Sequence, residues 1–169
     1  MNRLRSIGAL ALLLAPALEA QEHAHTPGMT HPEDDSAFTA LKEQGRRSMG
    51  VDQDKAVHVF DALPDGGRIE LQADSDDPEA IAGIRQHFKE IETAFQNGDF
   101  STPMAVHAGA VPGADIMGAR KEYIQYARTE LPRGAELRLR SKDPAALAAI
   151  HDFMAFQRTE HRAGGTGSP

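Results

Sequence analysis

The chain has 169 residues, 40% of them hydrophobic and 5% aromatic, with 18 Lys and Arg against 25 Asp and Glu and no Cys. That length suits one modest domain with a real core, and a formal charge of −7 speaks against a nucleic-acid partner, which demands a basic surface. The absence of Cys removes disulfides, thiol catalysis, thiolate zinc sites and iron–sulfur clusters, and no apolar run approaches the roughly 20 residues of a membrane-spanning helix.

Arg3 and Arg5 precede an apolar stretch over 7–14, and small residues follow at Ala15-Pro16-Ala17 and Leu18-Glu19-Ala20. This order predicts a secretory signal peptide over residues 1–20, cleaved after Ala17 or Ala20, and a protein that works in a bacterial periplasm or is secreted. With no Cys behind it, no lipid anchor is expected. Residues 21–35 mix His, Pro, Gly and acidic residues without period and read as disordered. Phe38 and Leu41 then lie three apart in a short amphipathic helix predicted over 36–48, capped at Asp35 or Ser36 and ended by Gly50.

Residues 56–63 form a strand candidate, and Pro64-Asp65-Gly66-Gly67 is a turn signal. The alternation Arg68-Ile69-Glu70-Leu71-Gln72-Ala73 turns Ile69, Leu71 and Ala73 inward. An even hairpin register sets Phe60, Ala62 and His58 on the same inner face, with His58 at the open end opposite Ala73, and keeps the Asp61 carboxylate out of the core. Asp77-Pro78 opens a helix on which Ile81, Ile84, Phe88, Ile91 and Phe95 make one apolar stripe, stopped by Asn97-Gly98. A second hairpin runs from Tyr123 through Pro132-Arg133-Gly134 to Arg140. Asp143-Pro144 opens a second helix carrying Leu147, Ile150, Phe153 and Met154. Residues 162–169 read as a flexible tail.

The two halves read as one unit written twice. Pro64, Gly66 and Leu71 recur as Pro132, Gly134 and Leu139, and Asp77, Pro78, Ala80, Ala82 and Ile84 recur as Asp143, Pro144, Ala146, Ala148 and Ile150, after a two-residue deletion between hairpin and helix. One hairpin is too small to bury its apolar side alone. The expectation is therefore an α+β domain over 36–161, a tandem ββα repeat whose four-stranded antiparallel sheet carries two helices on one face. His58 falls on the repeat position of Tyr126 and His87 on that of Phe153, which reads His87 as a packing residue. His151, at the position of Arg85, and His161, where the last helix frays, read as surface residues.

The connection over 98–118 has no sustained period and is longer than an ordinary loop, yet Phe100, Met104, Val106, Val111, Ile116 and Met117 make it too apolar for simple disorder. It is expected to pack over the sheet or its end. Met104-x-x-His107 would then bring a thioether and an imidazole together, a soft pair suited to copper, and His58 would join them. Met104 filling a gap under the loop is the other reading. The N-terminal segment offers a separate metal signal in His23, His25, Met29 and His31, which can wrap a copper, nickel or zinc ion. If cleavage follows Ala20, His23 stands third and can enclose Cu(II) or Ni(II) with the free amine and two amides.

Met49-Gly50-Val51-Asp52-Gln53, His58-Val59-Phe60, Asp65-Gly66-Gly67, Gly98-Asp99-Phe100, and His107 before Pro112-Gly113 together resemble a family of small exported bacterial proteins without an assigned function. The resemblance spans roughly residues 45–161 and implies export and a single domain, with no activity or ligand set attached.

Three functions follow as expectations. The first is a periplasmic metal-binding protein, with copper as the ion it handles or delivers, whose folded site uses His58, His107 and Met104 with Met49 or His87 as completions. The second is a non-catalytic module that binds a protein or envelope partner through outward-facing Val57 and Val59. An enzyme is not expected: there is no nucleophile elbow, Gly-rich phosphate loop or HExxH, and an Asp99–His107 pair would be the one catalytic possibility.

Overall fold

The computed structural model describes residues 32–50 and 52–164; the expected signal segment and the His23, His25, Met29 and His31 tract lie outside them. The chain runs α1 (Pro32–Met49), β1 (Ala56–Leu63), β2 (Gly66–Ala73), α2 (Pro78–Gln96), α3 (Ser101–Val106), α4 (Ala114–Ala119), β3 (Ile124–Leu131), β4 (Gly134–Ser141) and α5 (Pro144–Glu160). The strands form one antiparallel sheet in the order β1-β2-β4-β3, and α2 and α5 pack on it, the α+β arrangement expected from the repeat. Among the described residues no helix is long and apolar enough to cross a membrane.

Local chemistry explains the boundaries. Both long helices open on an aspartate followed by proline: Asp77 accepts from the amides of Glu79 and Ala80, and Asp143 from that of Ala146, while the proline's missing N–H falls where no helical partner exists. Both hairpins close through two residues, Pro64-Asp65 and Pro132-Arg133, because Leu63 pairs with Gly66 and Leu131 with Gly134. The even register therefore holds, with Phe60 opposite Ile69. The tight turn places His58 opposite Leu71, however, and gives Ala73 to Ala56, two residues from the pairing expected.

The duplication extends to contacts. At Gly66 an added Cβ would stand 2.0 Å from the Leu139 carbonyl oxygen, and at Gly134 it would stand 1.9 Å from that of Leu71. These are equivalent residues in exchanged roles, so β2 and β4 meet about a pseudo-two-fold axis, and both positions need glycine because backbone occupies the space of a side chain. Each helix lies chiefly over the hairpin of the other half, α2 over β3 and β4 and α5 over β1 and β2. Arg85 on α2 donates to the Leu131 carbonyl at 2.7 Å, and His151 on α5 donates from Nε2 to the Leu63 carbonyl at 2.9 Å. The surface role expected for this repeat-related pair is corrected: both side chains fasten a helix to the far hairpin.

Four other expectations change. The 98–118 connection contains α3 and α4, each of six residues, whose Phe100, Val106, Val111, Ala114 and Met117 are buried in the core. Asp61 faces away from the core as expected, yet is only 3% exposed, because Arg68 lies over it with two contacts of 2.6 and 2.9 Å. Helix α1 begins at Pro32 rather than near Ser36. The proposed apolar patch also shrinks: Val57 is 58% exposed, whereas Val59 is bridged by Gly164.

Candidate functional site

Four histidines from four separate elements line one cavity. Alternation along β1 turns His58 onto the inner face beside Phe60. At the end of α3, His107 occupies the C-cap, and at the end of α5, His161 does the same. The chain beyond His161 is held along the edge of β1, where the Phe60 amide donates to the Gly164 carbonyl at 3.2 Å and Arg158 donates to the Phe60 carbonyl at 3.3 Å. This fastening brings the His161 ring 5.5 Å from that of His58 and 5.1 Å from that of His107, centroid to centroid. The crossover thus folds back and delivers His107 to the end of the core where His58 lies. On α2, His87 is buried at 7% exposure and lines the same cavity.

The cavity is about 60 Å³ and lies between the inner face of β1 and β2, the helices α2 and α5, and the crossover helix α3. Phe60, Leu71, Ile91, Phe95 and Phe153 supply much of its wall; among the described residues Thr102 and Gln157 are the polar groups besides the imidazoles, and no carboxylate lines it. Outside, His58 and His161 also border a surface groove formed with Phe38, Lys42 and Arg162. The two rings therefore stand between the interior and the solvent-facing groove.

Burial keeps these imidazoles neutral. Removal from water is the largest cause of lowered basicity at His58 and His87, each brought from 6.5 to about 4, and at His161, brought to about 3. Repulsion from His87 adds to it at His58, and repulsion from His58 and His107 adds to it at His161, whereas Glu90 opposes it at His87. His107 is also lowered by burial, against opposing effects of Gln157 and Glu160. Its hydrogen bond fixes the tautomer: Nε2 lies 3.0 Å from the Gln157 side-chain oxygen, an acceptor, so Nε2 carries the proton. The lone pair then sits on Nδ1, which is buried with no hydrogen-bond partner among the described residues. An imidazole that donates from one nitrogen to a protein acceptor and leaves the other bare is oriented as a ligand.

The repeat gives an internal comparison. Tyr126 stands where the first hairpin has His58, Phe95 where the second helix ends in His161, and Phe153 where the first helix has His87. The Phe95 and Tyr126 rings lie 6.1 Å apart, the counterpart of the 5.5 Å His161–His58 contact. At each of these three repeat positions one copy thus carries an imidazole and the other a benzene ring.

The expected ligand set is partly corrected. His58 and His107 come together, but Met104 does not line the cavity. On α3 and its C-cap the cavity-lining residues are Thr102, Pro103, Val106 and His107, and Met104 lies a quarter-turn round the helix from Pro103, partly buried against the core. The Met49 side chain lies outside the described residues. Asp99 does not pair with His107; its carboxylate accepts from the Ser101 amide at 2.8 Å. His87, named as a completion of the site, lines the cavity, whereas His161 and Gln157 were missed as site residues. The sequence signal for His161 was its alignment with the core residue Phe95. Among the described residues, no three His, Asp or Glu side chains stand ready to hold a metal ion, so an ion at the mouth would require the rings to turn.

Fold and site together define a duplicated ββα protein with a histidine-lined apolar cavity at the junction of its halves. Comparison with protein-family models, curated proteins and solved structures finds no match.

Proposed function

We propose that the protein is an exported metal-binding protein whose ligands best suit copper, acting in metal handling or delivery. The carrying observation is the meeting of His58, His107 and His161, with the His107 Nδ1 lone pair buried and unpartnered. Two imidazoles on one ion, at bonds of about 2 Å, have ring centroids roughly 5 Å apart. The spacings of 5.5 and 5.1 Å already lie near that value, so the rings need chiefly to rotate. Neutral imidazole is the binding form, and ligands without thiols survive an oxidising compartment. The segment with His23, His25, Met29 and His31 is a second capture point within this reading.

Titration of the processed protein with copper against a competing chelator tests it. At least one site tighter than micromolar is expected, with the ring resonances of His58, His107 and His161 moving together. In the His58→Ala/His107→Ala variant the folded site should weaken by more than tenfold. A smaller loss removes the cavity from the metal site and leaves binding to the N-terminal segment.

A further inference from the structure

We infer that the cavity selects monovalent copper over divalent ions, and that the neutral amide of Gln157 sets this preference. The inference rests on the metal-binding reading above and deepens it by naming the ion's charge. Imidazole nitrogen suits zinc, nickel and both oxidation states of copper, so the nitrogens alone do not discriminate. Charge does. His58, His87, His107, His161, Thr102 and Gln157 supply the cavity's polar groups, and none is anionic.

Moving an ion from water into apolar surroundings costs free energy that rises with the square of its charge, and that cost falls when an anionic ligand shares the site. The metal-binding histidine commonly leans on a carboxylate, which makes the ligand more basic and offsets the ion's charge. Here the same place behind His107 is held by Gln157, 4% exposed, whose oxygen accepts from Nε2 at 3.0 Å. It orients the ring without adding charge.

The charges nearby do not reverse this balance. Arg158 is bonded to the Phe60 carbonyl, a cation at the same end of the molecule, and Arg162, which borders the outer groove, is paired with Asp35 at 3.1 Å. Asp54 in that groove is paired with Lys42 at 2.9 Å, and Glu160 and Glu90, the carboxylates that act on His107 and His87, are exposed to screening water. Walls of Phe60, Leu71, Ile91, Phe95 and Phe153 hold no further donor. That shell suits an ion satisfied by two or three ligands, as copper(I) is, and deprives zinc or copper(II) of the waters that complete theirs.

The test is competition titration of the processed protein with copper(I) under anaerobic reducing conditions and, separately, with zinc(II), following the His58, His107 and His161 ring resonances so that the N-terminal histidines do not contribute. Copper(I) should occupy the cavity at least 100-fold more tightly than zinc(II). Gln157→Glu, which keeps the acceptor and adds a charge, should narrow that ratio at least tenfold by strengthening zinc binding. Thr102→Asp, a carboxylate from a different wall, should shift it the same way and covers the case in which the first variant does not fold. Zinc binding as tight as copper(I), or a ratio unmoved by either carboxylate in a folded variant, overturns the inference while leaving metal binding in place. Resonances moved by neither ion overturn both.

Discussion

Burying an imidazole where the repeat elsewhere buries a benzene ring costs stability, and the cost depends on pH. His58 and His87 take up protons in the folded protein only near 4, and His161 near 3, whereas in the unfolded chain they do so near 6.5. As pH falls below 6.5 the unfolded chain therefore binds more protons than the native state, and stability falls until the folded values are reached. Above 6.5 these groups contribute no slope. One such histidine accounts for on the order of 3 kcal/mol across that interval, a large share of an ordinary domain's 5–15 kcal/mol. Urea denaturation of metal-free protein followed by circular dichroism should show the midpoint dropping from pH 7 to pH 5. His87→Phe, which installs the ring the repeat carries at Phe153, should flatten that decline. An unchanged slope in the variant would remove His87 from the account. At this scale the sequence was half legible. His58 was placed on the inner face by simple alternation, but His161 was not recognised, because its neighbours depend on which hairpin α5 covers.

Among the elements, the hairpins and capped helices were readable because their signals are local: a proline-led turn, a period of two, an aspartate before proline. The edges of β1, α2 and α5 follow from these. Helices α3 and α4 were not readable, since six residues complete fewer than two turns and show no period; burial of Phe100, Val106 and Met117 holds them instead. The close approach of β2 and β4 at Gly134 yields a direct test. Gly134→Ala would place a methyl carbon 1.9 Å from the Leu71 carbonyl oxygen, so the central strands must separate. The expected loss is about 2–4 kcal/mol, at or above the usual cost of overpacking. Gly109→Ala, where the nearest atom lies 3.9 Å away, should change stability by no more than about 0.5 kcal/mol. Equal denaturation midpoints for the two variants would contradict the close approach.

Taken whole, the molecule interleaves its halves, and hydrophobic pattern alone did not reveal this: alternation says which face of a hairpin is covered, not by which helix. Because α2 covers β3 and β4 while α5 covers β1 and β2, neither half can bury its own sheet face without the other. Arg85 and His151 tie the exchange at both ends, and the histidine cluster spans it, joining His58 of the first half to His161 of the second through their 5.5 Å ring contact. An ion held by His58, His107 and His161, as proposed, would link binding to folding and stabilise the entire domain rather than one end. At free copper(I) 100-fold above the dissociation constant, linkage adds about 2.7 kcal/mol. For a domain of this size that corresponds to a rise in Tm of roughly 5–10 °C. Thermal unfolding should remain a single transition, coincident when followed by backbone circular dichroism and by the ring resonances of Tyr126 and His58, which report on opposite halves. His58→Tyr/His161→Phe, which copies the pairing of Tyr126 with Phe95, should fold and unfold as one unit while losing the copper-dependent rise attributable to the cavity. Separate melting of the two halves would refute the interleaved packing. A copper-dependent rise retained in full by that variant would place the stabilising ion elsewhere.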